Sequence, residues 1–384
     1  MCRGGLHDAV KRAREDSHSA AGAPLRRGGR LHLGLADQQP ATGEKRVSVS
    51  DERPSVVLRR LINGYQVSQA IHVAATLGIA DLLAGGARDS DDLASETNTH
   101  PPALYRLLRA LAAIGVLEER EGRRFALTPV GDCLRSDAAE PVGGWAAFVG
   151  RRSHWHAWGE LQHSVQTGEN AFRHAHGVGA WEYRARDPEE ADVFDRAMAD
   201  LARRSQRLIM DAYDFARFAT VVDVGGGRGA LLAVLLAAHP HMRGVLFDLP
   251  HVIASIDGIS ADPGVSARCR TLAGSFFESV PAGGDAYVLR AVLHDWDDAD
   301  AVAILRNCRA AMRDDATLLL IERDLGPANQ LPGAKFSDLN MLVGLGGQER
   351  TIDEYARLMR EAGLRFVAST PGAFDLHVIE GAPA

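Results

Sequence analysis

His294, Glu322 and Glu349 are the residues of this 384-residue chain whose types best suit moving a proton. His294 leaves an apolar run as Leu293-His294-Asp295-Trp296. A neutral imidazole, with a reference pKa of about 6.5, can accept the proton of a phenol (about 10) as its oxygen attacks an electrophile. A carboxylate on the far ring nitrogen would fix the tautomer and stabilise the imidazolium, a role open to Glu322 and Glu349. The plainer alternatives are a histidine bonded to backbone at a strand exit and glutamates held in salt bridges. Asp295, Asp297, Asp298 and Asp300 could suggest a magnesium cluster, but a capped, solvated helix start explains them more simply, and no metal is expected.

A second group lies upstream, in Asp223-Val224-Gly225-Gly226-Gly227-Arg228-Gly229. Glycines here let the backbone turn sharply and let a ligand reach the amides at the positive end of the following helix. A dinucleotide fingerprint spaces its glycines differently and holds a pyrophosphate. A carboxylate two residues before Gly225 would repel that group and attract an ammonium. Asp248, at the end of the next apolar run, can accept both hydroxyls of a ribose. S-adenosylmethionine combines an ammonium, a carboxylate and a ribose diol, and is the cofactor these residues indicate.

The elements that must carry these side chains alternate. Thr220–Val224 is β-branched and reads as a buried strand; Ala230 to Ala238 has helical spacing, with Pro240 beyond it. Further strands are expected at 244–248, 285–293 and 316–322, a strand and loop at 269–277, and closing strands at 365–369 and 374–379. Helices are expected at 250–256, 297–312, 336–345 and 352–362. Such alternation implies a mostly parallel sheet with helices on both faces, and ligands in such sheets sit at the carboxyl ends of the strands. Asp223, Asp248, Ser275, His294 and Glu322 all fall at strand ends or just after them.

Before the sheet, residues 54–114 read as several helices, with Ser90 as an N-cap. Val116–Arg120 and Arg124–Thr128 flank the turn Glu121-Gly122 as a hairpin. Helices followed by a hairpin make a winged helix, a motif often used on DNA. Acids are mixed among Arg106, Arg109, Arg120, Arg123 and Arg124, so packing or dimerisation is the favoured use. Residues 141–216 are helical and aromatic-rich, and Trp155, Phe194 and Met198 are candidates to line the pocket of a planar substrate. The first 52 residues mix Arg with Asp8, Glu15, Asp16, Asp37 and Glu44, lack an apolar period, and read as a disordered tail.

Composition narrows the class. A net charge of -7 argues against bulk attraction to nucleic acid or a membrane surface. Four cysteines with no Cys-x-x-Cys suit a reducing cytoplasm and no structural zinc. No apolar run approaches the ~20 residues of a membrane span.

From about Pro54 to Ile379 the chain resembles the S-adenosylmethionine-dependent O-methyltransferases that include plant caffeate and flavonoid enzymes and actinobacterial polyketide-tailoring enzymes. Five motifs carry the resemblance in order: Val222-Asp-Val-Gly-Gly-Gly-Arg-Gly, Phe247-Asp-Leu-Pro, Gly274-Ser-Phe-Phe, Leu293-His-Asp-Trp-Asp-Asp and Gly346-Gly-Gln-Glu-Arg-Thr. It implies an all-helical winged-helix dimerisation domain (residues 53–140), a helical linker and pocket segment (141–216) and a Rossmann-like catalytic domain (217–384). It implies a homodimer that methylates a hydroxyl of an aromatic small molecule, with His294 as base flanked by Glu322 and Glu349. The cofactor would meet Asp223, Gly225, Gly227, Asp248, Leu249 and Gly274, with Ser275 and Phe276 near the adenine. Arg290 stands where plant members carry a cofactor-binding Lys, and Ser275 where the family usually has an acid. Two alternatives stay open: a homologue that decarboxylates or hydroxylates its substrate without methyl transfer, and a winged-helix regulator that binds DNA.

Overall fold

Thr220–Val224 is an interior strand, third in the order of a seven-stranded sheet, and the second half of the chain is laid out around it. The computed structural model describes residues 53–254, 256, 259–260, 262–372 and 375–384. The tail expected over residues 1–52 and the strand start expected at Phe374 lie outside the described residues. Leu58–Ala384 forms one compact unit, and residues 53–57 belong to the preceding one.

The helices of the first part are α1 (Pro54–Ile62), α2 (Gly64–Thr76), α3 (Ile79–Leu82), α4 (Ser90–Glu96), α5 (Pro101–Ala113) and α6 (Pro129–Asp132). Two features depart from expectation. Asp89, not Ser90, caps α4: its carboxylate accepts the Asp91 amide at 2.7 Å, while Ser90 is the buried first helical residue. The hairpin of β2 (Leu117–Arg120) and β3 (Arg124–Leu127) also gains a third strand, β1 (Arg88–Asp89), so this part is not wholly helical. Leu93, Leu104, Leu108, Leu111 and Phe125 form its core. Arg120 pairs with Glu118 at 2.9 Å and Arg123 with Asp91 at 3.5 Å, so two of the arginines that a DNA surface would need face acids of this same chain.

Six helices follow: α7 (Gly143–Val149), α8 (Arg152–Gly159), α9 (Leu161–Thr167), α10 (Ala171–His176), α11 (Ala180–Arg186) and the long α12 (Pro188–Ala212). Asp187 starts α12 by accepting the Glu189 and Glu190 amides, with Pro188 at the first position, where its missing N–H has no cost.

The sheet is built from β4 (Thr220–Val224), β5 (Arg243–Asp248), β6 (Cys269–Ala273), β7 (Ala286–Arg290), β8 (Thr317–Arg323), β9 (Leu364–Pro371) and β10 (Leu376–Pro383). Their order is β6-β5-β4-β7-β8-β10-β9. Only β10 runs antiparallel, to both β8 and β9. The order reverses beside β4, which places the crevice for a ligand at the carboxyl ends of β4, β5 and β7.

The helices of this half are α13 (Ala230–Ala238), α14 (Pro250–Ala254), α15 (Pro263–Ser266), α16 (Asp298–Ala311), α17 (Pro332–Gly344) and α18 (Ile352–Glu361). Both faces of β8 are covered. Leu318 and Leu320 enter one core with Tyr287, Ile304 and Leu358, and Leu319 and Ile321 enter the other with Leu231, Leu235 and Leu246. By the period of two, Glu322 continues the row of Leu318 and Leu320 at the strand's end. α17 starts at Pro332, four residues before the expected Phe336, because proline suits a first helical turn. Among the described residues no helix is long and apolar enough to cross a membrane.

Candidate active site

The loop after β4 needs its glycines. Gly225, Gly227 and Gly229 have φ of 69°, 58° and 75°, a region L side chains avoid. A side chain at Gly226 would overlap both Leu246 and the Asp223 carboxyl group. The loop is tied to β5: Gly225 N–H donates to Phe247 O at 2.8 Å and Gly227 N–H to Asp248 Oδ2 at 2.8 Å. Asp248 Oδ1 accepts the Leu249 amide at 2.7 Å, which leaves further lone pairs on both carboxylate oxygens. Gly229 caps α13 with no side chain over the first amides of the helix.

Asp223 is 2% exposed, and neither of its oxygens has a hydrogen-bond partner among the described residues. Burial pushes its carboxyl up to about 7, Arg290 opposes that, and Asp248 adds to it. A buried carboxyl without a donor is costly, and an ammonium beside it would satisfy it. Asp223, the uncapped amides and Asp248 therefore fit the three polar groups of S-adenosylmethionine.

The neighbouring candidates are placed as follows. Phe276 packs its ring against Gly225 and lies edge-on to Trp296. Gly274 donates to Asp248 O at 3.0 Å and abuts the Phe247 ring, which would exclude a side chain. Ser275 Oγ accepts the Phe277 amide at 3.3 Å, and Leu249 is 42% exposed at the rim. Arg290 points inward and donates to Ser205 Oγ on α12; burial lowers its pKa, while Asp223 and Glu322 counteract that.

His294 lies in a short 3-10 turn, Leu293–Asp295, beyond the end of β7. Its Nδ1 is 3.2 Å from Glu322 Oε2 and 3.6 Å from Glu349 Oε2, and its Nε2 is 3.3 Å from Asp295 Oδ1. Both glutamates are buried, and Nδ1 and the two facing oxygens fall within ion-pair range without hydrogen-bond geometry. The three residues singled out in the sequence lie together in the structure.

The electrostatics differ from the expectation of an ordinary imidazole. Burial works to lower the His294 pKa, but Glu322, Glu349 and Asp295 outweigh it and hold the ring well above its usual value. Burial raises the Glu349 carboxyl, and His294 and Ser337 overcome that and leave it low. Asp295 is held up to about 6, first by burial.

The turn is clamped from two sides. Glu322 Oε1 accepts the Val292 and Leu293 amides at 3.0 and 2.8 Å. Gln348 N–H donates to His294 O at 2.8 Å. Arg350, 1% exposed, donates to Leu293 O at 2.9 Å, Trp296 O at 2.8 Å and Asp298 Oδ1 at 3.0 Å. Gly347 runs so close under the turn that any side chain would overlap His294 O. Sequence reading missed Arg350 and Asp295 in these roles, although both stand inside motifs it had marked.

His294, Glu322 and Glu349 are also a group of metal-ligand types, with donor atoms within 4.8 Å of one another. Ser337 Oγ already donates to Glu349 Oε1 at 2.7 Å, and the two amides occupy Glu322 Oε1, so one oxygen of each remains.

The pocket candidates divide. Phe194 and Met198 pack with Phe148, Val193 and Ala197. Trp155 is 39% exposed and lines a surface cleft of about 520 Å³ with Tyr65, Gln66, Gln69, Gly150 and Arg152. His154 is buried beside Phe148, and burial and then Arg184 lower its pKa to about 4.

Comparison with known proteins decides the family. The O-methyltransferase domain profile matches residues 158–365, and an O-methyltransferase dimerisation domain matches residues 59–137. The chain belongs to the O-methyltransferase family. The enzyme is 42% identical over 329 residues to a phenazine O-methyltransferase of Lysobacter antibioticus, a span of 86% of this chain and 96% of that protein. It is 40% identical over 324 residues to the mitomycin biosynthesis 6-O-methyltransferase of Streptomyces lavendulae, covering 83% and 92%. Its structure is similar to that of an O-methyltransferase from neocarzinostatin biosynthesis in complex with S-adenosylmethionine and 2-hydroxy-5-methyl naphthoic acid. There the TM-score is 0.71 and the identity 36%, with 83% of this chain and 96% of that one covered.

Proposed function

We propose that this O-methyltransferase binds S-adenosylmethionine at the glycine loop and methylates a hydroxyl group of an aromatic small molecule, with His294 as general base. The observation that carries the base assignment is the imidazole held on Nδ1 by Glu322 and Glu349, with Nε2 left as the proton acceptor. The bound cofactor supplies an activated methyl group on a sulfonium. The chain's own residues do the rest. Asp223, the uncapped amides at the start of α13 and Asp248 are placed to fix the donor's polar ends, and Glu322 and Arg350 fix the turn. His294 Nε2 takes the hydroxyl proton as the oxygen becomes nucleophilic, and the two glutamates stabilise the imidazolium that forms. Asp295 Oδ1 stands 3.3 Å from Nε2 and helps to stabilise the ring once it is protonated.

The dimerisation domain supports a homodimer, and the exposed Leu58, Leu61, Ile62 and Tyr65 offer it an apolar face. Free Cys133, Cys269 and Cys308 suit a cytoplasmic enzyme. Purified protein incubated with methyl-labelled S-adenosylmethionine and a panel of phenols should yield a product heavier by one methyl group. His294→Ala should lower the rate by about 10²–10⁴-fold. An unaffected rate would remove the base assignment.

A further inference from the structure

Thr220, Arg243 and Cys269 are the first residues of β4, β5 and β6, at the end of the sheet opposite the glycine loop. They border a cleft of about 580 Å³ that Arg268 and Arg270 also line, and no Asp or Glu is among its lining residues. The chain as a whole has a net charge of -7, so a cleft with three arginines and no acid inverts its field locally. Arg270 pairs with Val245, and Arg243 lies two residues before Val245 on the same face of β5. Arg243 and Arg270 are therefore diagonal neighbours on one face, where like charges repel. Both are exposed, and among the described residues neither side chain has an ion pair or a hydrogen bond. Arg268 is held rigidly: it donates to Leu236 O at 2.7 Å, Met242 O at 2.9 Å, Gly264 O at 3.0 Å and His239 O at 3.1 Å. Those carbonyls fix its place without neutralising its charge. The amides of Ala282 and Gly283, on the wall before β7, donate to no group among the described residues. Asp285, two residues beyond Gly283, is occupied: Oδ2 accepts the Ala219 and Thr220 amides at 3.1 and 2.8 Å, and Oδ1 accepts from Arg313 at 2.6 Å.

We propose that this cleft is a second ligand site, separate from the cofactor crevice, and that it binds a small phosphate ester. Guanidinium groups and free amides offer donors only, so the ligand that satisfies them is an anion with several acceptor oxygens. Two unpaired guanidinium forks match a phosphate dianion better than a singly charged carboxylate, and Arg268 adds a fixed positive charge behind them. The cleft is larger than one phosphate group and falls within the range of about 300–1,000 Å³ usual for small-molecule sites, which leaves room for the organic part of an ester. The proposal does not depend on the methyl-transfer reading.

Calorimetric titration of the S-adenosylhomocysteine-loaded protein at about 0.15 M salt tests it, with ribose 5-phosphate and inorganic phosphate as probes. Saturation with S-adenosylhomocysteine keeps both probes off the glycine loop. Ribose 5-phosphate should bind with a Kd of about 0.1–1 mM, more tightly than inorganic phosphate. Arg243→Gln and Arg270→Gln should each weaken it about tenfold or more. Arg365→Gln, which removes an exposed arginine from β9 at the far edge of the sheet, should leave it unchanged. Undiminished S-adenosylhomocysteine binding by the variants shows that they fold. No binding to the loaded protein, inorganic phosphate held as tightly as the ester, or equal losses from all three variants would overturn the proposal.

Discussion

Glu349→Gln separates charge from geometry at the proposed base. The variant keeps an oxygen for the Ser337 hydroxyl and removes one negative charge 3.6 Å from His294 Nδ1. Glu322, at 3.2 Å, stays to hold the same tautomer. At this separation an ion pair is worth about 1 kcal/mol in bulk water and about 4 kcal/mol at an effective dielectric near 20. At about 1.4 kcal/mol per pH unit, and with Arg323 at 3.6 Å already offsetting Glu349, the acid limb should move by about 1–3 pH units. The direction follows from the role. His294 must be neutral to accept a proton, so kcat/KM rises as pH passes through its pKa. The carboxylates hold that pKa above 6.5 and place the limb on the alkaline side of an ordinary imidazole. Removing one carboxylate moves the limb to lower pH, while the plateau rate changes little. The assay is the pH profile of kcat/KM for both proteins with saturating cofactor. A limb that stays put or moves upward would refute the argument. If it stays near pH 6, Asp295 is the group that titrates.

Three other outcomes are expected. Asp248→Asn should weaken S-adenosylhomocysteine binding by about tenfold or more in calorimetry, because a carboxylate that accepts hydroxyl and amide donors at once becomes a mixed donor. Gly347→Ala should cost about 1–3 kcal/mol in denaturant unfolding and lower kcat more than it raises KM, since the displaced group is the His294 carbonyl. Dialysis against EDTA should leave turnover unchanged, since one oxygen each of Glu322 and Glu349 is already committed to protein donors; a loss restored by a divalent ion would make the His294, Glu322 and Glu349 group a metal site.

The alternating half of the fold was legible where a strand is a continuous apolar run, as in Thr220–Val224 and at Leu318–Ile321. Thr220–Val224 and Ala230–Ala238 were read to the residue. The polar ends of those runs, at Asp223, Asp248 and Glu322, were legible for the same reason. Three things were not. β1 is two residues long, too short for a period to form, and only its pairing with β3 reveals it. Arg350 and Gly347 act on His294 from more than fifty positions away, through backbone contacts that no local pattern encodes. The raised His294 pKa was equally hidden, because it depends on how far two buried carboxylates stand from one ring.

The clamp by which Arg350 and Gln348 grip the backbone around His294 has a consequence for how the enzyme comes to life during synthesis. A ribosome that has delivered β8 has already made the imidazole and its first glutamate. The segment that locks them in register is still to come. If His294 is the base, a chain made only that far carries the parts of a catalyst without the clamp that sets them.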